Sequence, residues 1–243
     1  MSFSVYWLDE PAERPLGASV VLGAAEARHA VTVRRTRVGE RVELVDGTGI
    51  RLGCVVTSVG PASLSAVVES VVHEPEASPR LVVVQALAKG DRSELAVEAV
   101  TEIGADVVVP WQASRCVVQW RGDRGVRSLA RWRSTALAAT KQARRARVPE
   151  VSSVAATPDV AALLSRAALP VVLHESASLP LTSLQVPDSG DVVVVVGPEG
   201  GIAPEELAAF GVVPVRLGAT VLRTSTAGVA ACAALLSRTP RWS

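Results

Sequence analysis

The 243-residue chain reads as an α/β protein in which a mostly parallel sheet, covered on both faces, follows a smaller β-rich domain. Three observations point there. From Arg80 onward, strand-length apolar runs alternate with helical stretches. The runs LVVVQALA and DVVVVVG are rich in β-branched residues without a polar alternation, as strands buried on both faces are. Before residue 73, short β-branched segments stand between Gly, Pro and Asp turn signals, with one helical candidate among them.

In the first domain, residues 1–73, the segments SFSVYWL, SVVLG, RVELVDGTG, RLGCVVTSVG and LSAVVESVVH read as strands. AAEARHAVTVRRTRVGE interrupts them as a helix, and the pattern fits a small barrel. HEPEASPR, with two prolines, reads as a linker, so the boundary falls between His73 and Arg80. The second domain, residues 80–243, opens on LVVVQALA as a strand. DRSELAVEAVTEIGA follows as a helix with Asp91 at the N-cap position and Glu94 three residues on. DVVVPW is the next strand, RSLARWRSTALAATKQARR a long helix, PDVAALLSRAA a shorter one and LPVVLHE a strand. Then come the strand DVVVVVG, the helix PEELAAF, the strand VVPVRLG and the terminal helix STAGVAACAALLSR.

With 49% apolar residues the chain can bury a sizeable core. No apolar run approaches a membrane span, and MSFSVYWLDEPAERP lacks the basic and apolar regions of a signal peptide, so a cytoplasmic protein with no membrane partner is expected. Cys54, Cys116 and Cys232 are far apart, without CxxC spacing or a neighbouring His cluster, which argues against a metal site and a disulfide framework; they read as small buried apolar side chains. The net charge of +1 hides a basic stretch, RGDRGVRSLARWRSTALAATKQARRARVPE, whose positive field suits a polyanion such as RNA; the plainer alternative is a solvated, Arg-rich helix face.

Ligands of open α/β sheets sit beyond the carboxyl ends of the strands. Three loops leave such ends in the last third of the chain: LHES, GPEGGI and LGATVLRTSTA. The glycines of GPEGG let backbone amides approach a ligand, and Pro204, Glu205 and Glu206 suit the first turn of a helix. The loop has neither GxxxxGK[ST] nor GxGxxG, and Glu199, Glu205 and Glu206 repel phosphate, so a ligand with adenine and ribose but no phosphate fits it better. The alternatives are a plain strand-to-helix connection for GPEGG and simple capping for the polar run Arg223, Thr224, Ser225 and Thr226.

Taken together, VVVVVGPEGGIAPEEL followed by LGATVLRTSTA resembles the paired motifs of SPOUT methyltransferases. More closely, the order KGDRSELAVEAVTEIGAD, PWQASRC, RWRSTALAATKQARRARVPE, GPEGG and LGxxxLRTxTA resembles the ribosomal RNA small subunit methyltransferase E family, and RHAVTVRRTRVGERVEL matches that family's N-terminal domain. The resemblance covers nearly the whole chain. It implies a PUA-like RNA-binding barrel, a SPOUT domain with a deep C-terminal trefoil knot, S-adenosylmethionine as cofactor, a homodimer, and methylation of N3 of one uridine in 16S rRNA, within the 30S subunit.

Carried over by residue, the resemblance implies that Leu173 and His174 line one side of the cofactor site and that Gly197, Pro198, Glu199, Gly200, Gly201 and Ile202 form its central loop. Leu217, Gly218, Val221, Leu222 and Arg223 would wrap the adenine, with Thr226 and Ala227 closing the end. Gln142 and Arg144 match a substrate-facing motif and join Arg223 as candidate catalytic residues. Arg34, Arg35, Lys89, Arg92 and Arg145 are candidates for RNA contacts. Two residues depart from the family pattern: Ser225 stands in LRTSTA where the family often reads LRTETA, and Lys141 in KQARR where it often reads EQxxR, a change expected to be paired at the dimer interface.

Attack by uracil N3 requires loss of its proton. His174 sits in a cofactor loop, which suits a structural role, so the residues point to Arg223 and Arg144 stabilising a uracil anion while the proton leaves to water. Trp111, Trp120 and Trp132 are candidates for base stacking, with core packing the better reading for at least two of them. Competing functions are a SPOUT methyltransferase with another RNA target, a non-catalytic RNA-binding ribosome-assembly factor, and, more remotely, a phosphate-binding nucleotide enzyme.

Overall fold

A computed structural model describes residues 3–10 and 13–242; Ser2, which opens the expected first strand, lies outside them. Backbone contacts divide the chain into two units. The first comprises Met1–Glu76 with Thr140–Val148, the second Ala77–Ala139 with Pro149–Ser243. The division at Glu76 falls inside the segment read as a linker. The return of Thr140–Val148 to the first unit has no counterpart in the sequence reading.

The first unit is built on one five-stranded sheet. Its strands are β1 (Ser4–Trp7), β2 (Ser19–Val21), β3 (Arg41–Val45), β4 (Ile50–Gly60) and β5 (Ser63–His73), in the order β1-β3-β4-β5-β2. β4 and β5 bury alternate residues, among them Leu52, Cys54 and Val56 on one strand and Leu64, Ala66 and Val68 on the other, which is the period of a sheet packed on one face. The expected barrel is not closed by hydrogen bonds among the described residues, because β1 and β2 remain as edges. The helical stretch is also shorter than expected. α1 (Ala24–Arg28) passes into one π-helical turn, His29–Val33, and the chain then reverses at Arg35, whose φ of 56° lies in the left-handed region.

Within this unit, Gly49 donates to the carbonyl of Ala146, Val148 donates to that of Gly47, and Arg147 donates to that of Glu74. Lys141 forms a 2.7 Å ion pair with Glu26, and its ammonium lies 5.2 Å from the ring centroid of Trp7.

The second unit holds a wholly parallel sheet of β6 (Arg80–Ala86), β7 (Val107–Trp111), β8 (Glu150–Val151), β9 (Leu169–Val172) and, after the two-residue β10 (Leu179–Pro180), β11 (Asp191–Val196). The order is β8-β7-β6-β11-β9, and β10 pairs separately with β12 (Val215–Arg216). Its helices are α2 (Arg92–Glu102), α3 (Gly122–Gln142, whose last three residues belong to the first unit), α4 (Thr157–Arg166), α5 (Pro204–Phe210) and α6 (Thr224–Leu236). α6 lies over β6 and β11 and touches α2, whereas α4 lies over β9 and β11 and touches α5. That double cover explains the unbroken apolar runs: six consecutive residues of β6 and five of β11 are buried.

Asp91 does occupy the N-cap position of α2, but its φ and ψ are helical and its side chain caps nothing. The turn is held instead by Ser93, whose hydroxyl donates to the Ala88 carbonyl and accepts from the Ala88 amide. The three cysteines are buried and unpaired, as the sequence suggests. Trp111 and Trp132 belong to the core, and Trp120 packs edge-on against Trp132 at 5.1 Å.

Candidate functional site

Strands β6, β7 and β8 grow the sheet in one direction, and β11 and β9 lie on the other side of β6. The β6/β11 boundary is therefore a topological switch point, where the outgoing loops diverge and leave a crevice at the strand ends. A cavity of about 340 Å³ opens there. Its walls come from the three loops singled out in the sequence and from the start of α2.

Leu173 and His174 follow β9. The amide of Leu173 donates to the Val195 carbonyl and that of His174 to the Val215 carbonyl, so backbone bonds bring the ends of three strands together. His174 Nδ1 accepts from the Ser176 amide at 3.2 Å, which orients the ring. Gly197, Pro198, Glu199, Gly201 and Ile202 line the next wall. Gly201 donates to the Pro198 carbonyl and has a φ of 75°, a left-handed conformation that costs a glycine least. A Cβ at Gly197 would stand 2.7 Å from Ile202 Cγ1, so close approach requires glycine there. Gly200 is not a lining residue: it backs onto Arg115, whose guanidinium donates to the Gly200 carbonyl at 3.3 Å.

The third wall is Leu217, Gly218, Val221, Leu222 and Arg223, with Ala227 from α6. Arg223 precedes the helix in extended conformation, and its carbonyl accepts from the amides of Thr226 and Ala227. Thr226 does not line the cavity; its hydroxyl donates back to that same carbonyl. Sequence reasoning missed Glu175, Val196, Arg216, Ala219, Thr220 and Thr224, which also line it. All of them adjoin residues already singled out, so contiguity was the available signal.

Gln85 carried no such signal. It is 1% exposed, stands in register with Val196, and its amide nitrogen donates to the carbonyls of Ala86 and Thr224. Two facing carbonyls fix which end of the amide points at them. Gln85 thus ties the end of β6, beside the strand that leads into GPEGG, to the first residue of α6.

The charges at the cavity are mixed. Arg92, Arg216 and Arg223 line it with Glu175 and Glu199, and Arg92 approaches Glu199 at 3.9 Å. No lysine lines it. Glu206, read from the sequence as a further repulsion for phosphate, is turned inward and 5% exposed. It accepts from the amides of Ser114 and Ala203 and from the Thr157 hydroxyl.

The remaining candidates lie elsewhere. Gln142, Arg144 and Arg145 belong to the first unit with Arg34 and Arg35 and do not line the cavity. Arg144, like Arg35, adopts a left-handed φ, 55°, and its carbonyl accepts from Arg51. Lys89 is exposed just before α2. Ser225 is buried at the start of α6, while Lys141 is engaged with Glu26 in the other unit. No thiol is poised for nucleophilic work: burial pushes Cys232 up to about 12 and Cys54 to about 11, and raises Cys116 as well. No cluster of metal-ligating side chains occurs among the described residues, and none of their helices is long and apolar enough to cross a membrane.

Comparison with known proteins adds identity to this geometry. The RNA methyltransferase domain family matches residues 75–236, and the RNA methyltransferase PUA domain family matches residues 22–69. Over 233 residues the chain is 46% identical to the ribosomal RNA small subunit methyltransferase E of Mycobacterium bovis, covering 93% of this chain and 89% of the relative. The Bacillus subtilis protein of the same name is 28% identical over 225 residues, 88% of each chain. A crystal structure of a ribosomal RNA small subunit methyltransferase E from Neisseria gonorrhoeae, bound to S-adenosyl methionine, matches with a TM-score of 0.82 and 26% identity over 97% of this chain and 98% of that one. With the family model spanning most of the chain and a relative nearly half identical along almost its whole length, the chain belongs to the ribosomal RNA small subunit methyltransferase E family.

Proposed function

We propose that the chain methylates N3 of a specific uridine in 16S rRNA, within the 30S subunit, using S-adenosylmethionine held in the cavity at the β6/β11 switch point. The observation that carries the reading is the cavity itself. Its size lies in the range of small-molecule sites, and apolar Leu173, Val196, Ile202 and Leu217 stand beside the carboxylates of Glu175 and Glu199. The lining sets the carboxylates of Glu175 and Glu199 among the guanidiniums of Arg92, Arg216 and Arg223 and carries no phosphate-binding fingerprint, so it suits an adenosine ligand with charges of both signs. The SAM-bound Neisseria gonorrhoeae relative supports the same assignment.

Bound S-adenosylmethionine supplies an electrophilic methyl group on a sulfonium, so the acceptor must present a lone pair in line with the bond that breaks. Uracil N3 has to lose its proton first. Arg223, at the rim of the cavity, stabilises the developing anion electrostatically as that proton passes to water, and Arg144 and Gln142 contact the substrate. The other candidate cofactor residues hold the ligand largely through backbone groups. Arg34, Arg35, Lys89, Arg92 and Arg145 contact RNA, the active form is a cytoplasmic homodimer, and the chain around α6 is knotted.

The test is transfer of labelled methyl from S-adenosylmethionine to 30S subunits lacking the modification, with the product nucleoside identified by mass spectrometry. N3-methyluridine is the expected product, and Arg223→Ala is expected to lose turnover while retaining cofactor affinity. A different methylated nucleoside would move the target to another RNA position. Cofactor binding without any transfer would make the protein a binding factor.

A further inference from the structure

One charged surface of the second unit remains unused by the cavity. Arg121 precedes α3, and Arg124 and Arg127 follow in its first two turns, all three exposed. Successive residues three apart step about 60° around a helix, so the three side chains fan across about a third of its circumference. Among the described residues none of these side chains makes a hydrogen bond or ion pair. The buried side of the helix, through Trp132, Ala136 and Ala139, lies opposite Arg127.

Helix stability does not account for this placement. Cations in the first turns of a helix oppose its dipole, and Asp123 is the single acid in the first turn. The face also reaches α2, the helix whose Arg92 lines the cavity. Arg131, next along α3, pairs with Glu94 of α2 at 3.6 Å, two residues from Arg92 at the cavity rim.

We propose that Arg121, Arg124 and Arg127 form a docking ridge for the sugar-phosphate backbone of the RNA substrate, placed on the methyltransferase unit itself. Charge complementarity selects the occupant: three unpaired guanidiniums on one face match a polyanion, and phosphate contacts position a nucleic acid without reading its bases. The ridge rests on the rRNA reading above for its substrate, and it concerns affinity rather than the methyl-transfer step.

The experiment is equilibrium binding of 30S subunits across a salt series, comparing the natural chain with the triple variant Arg121→Gln, Arg124→Gln, Arg127→Gln. Loss of three phosphate contacts is expected to flatten the slope of log K against log salt by about 2 and to weaken binding on the order of tenfold, with S-adenosylmethionine affinity retained. Two single variants separate position from net charge: Arg124→Gln is expected to lower the slope, and Arg166→Gln, exposed at the end of α4, is not. An unchanged slope in the triple variant would overturn the ridge, as would an equal loss in Arg166→Gln. A triple variant that changes oligomeric state in sedimentation and keeps the natural slope would make the face a contact between copies, and would also overturn it. If the natural chain bound no RNA at all, the rRNA reading itself would fail, which the variants alone cannot produce.

Discussion

Glu206 joins three segments through one carboxylate, accepting from the Ala203 amide at its own helix start, the Ser114 amide beyond β7 and the Thr157 hydroxyl at the start of α4. A buried acceptor with several donors is costly to remove, because each donor is then left without a partner. Glu206→Ala is expected to destabilise the second unit by about 2–3 kcal/mol, read from denaturant unfolding, whereas exposed Glu205→Ala should stay within about 0.5 kcal/mol. At this scale the sequence was legible only where a residue type is tied to a local geometry. Gly197, Gly201 and Pro204 announce a tight loop and a helix start by their chemistry alone. Gln85 and Glu206 act through partners more than 90 residues away in sequence, Thr224 and Ser114, and no local pattern records such a pairing.

At the scale of elements, β6 and β11 declare themselves by composition, and even the two-residue β12 lies within VVPVRLG, read as a strand. β8 and β10, also of two residues each, went unread and exist because a neighbouring strand lies beside them. The stretch after α1 carried helical residues and still broke, where the chain turns back at Arg35. The central pair of strands also carries a pH dependence. Arg80 Nε and Nη2 donate to the two carboxylate oxygens of Asp191 at 2.9 and 2.8 Å, where β6 and β11 begin in register. These hydrogen bonds hold the Asp191 carboxyl below its ordinary value. A carboxyl with a depressed folded-state value contributes stability above its unfolded value and loses it as pH falls through the folded one. Asp191→Asn is therefore expected to be less stable than the natural chain at neutral pH, with the gap closing as pH drops below about 4, in denaturant titrations at several pH values.

For the molecule as a whole, the end of the chain is fastened near the beginning of the second unit. The Arg241 guanidinium donates to the carbonyls of Pro79 and Gly104 and to both carboxylate oxygens of Asp106, which in turn accepts from the Leu81 amide. The pair is mostly shielded, at 15% and 18% side-chain exposure. Arg241→Ala strips Asp106 of its counter-charge and is expected to cost about 3 kcal/mol of unfolding free energy, more than any exposed arginine variant; a change under 1 kcal/mol would show the tie to be incidental. The sequence places a boundary between His73 and Arg80, where composition changes. The excursion of Thr140–Val148 was not visible in it, because KQARRARVP simply prolongs a helical, basic stretch.

That excursion bears on how the protein can be divided. The backbone passes between units at residue 76, again at 139 and again at 148, so a single cut in the HEPEASPR linker leaves two covalent crossings intact. A gene fragment ending at Glu76 would encode the first unit without the residues that bond to Gly47, Gly49 and Glu74, and one starting at Ala77 would carry those residues as an orphaned loop. Recombination at the linker cannot exchange one unit for a foreign module and leave both complete. The two halves are thus bound to be inherited together.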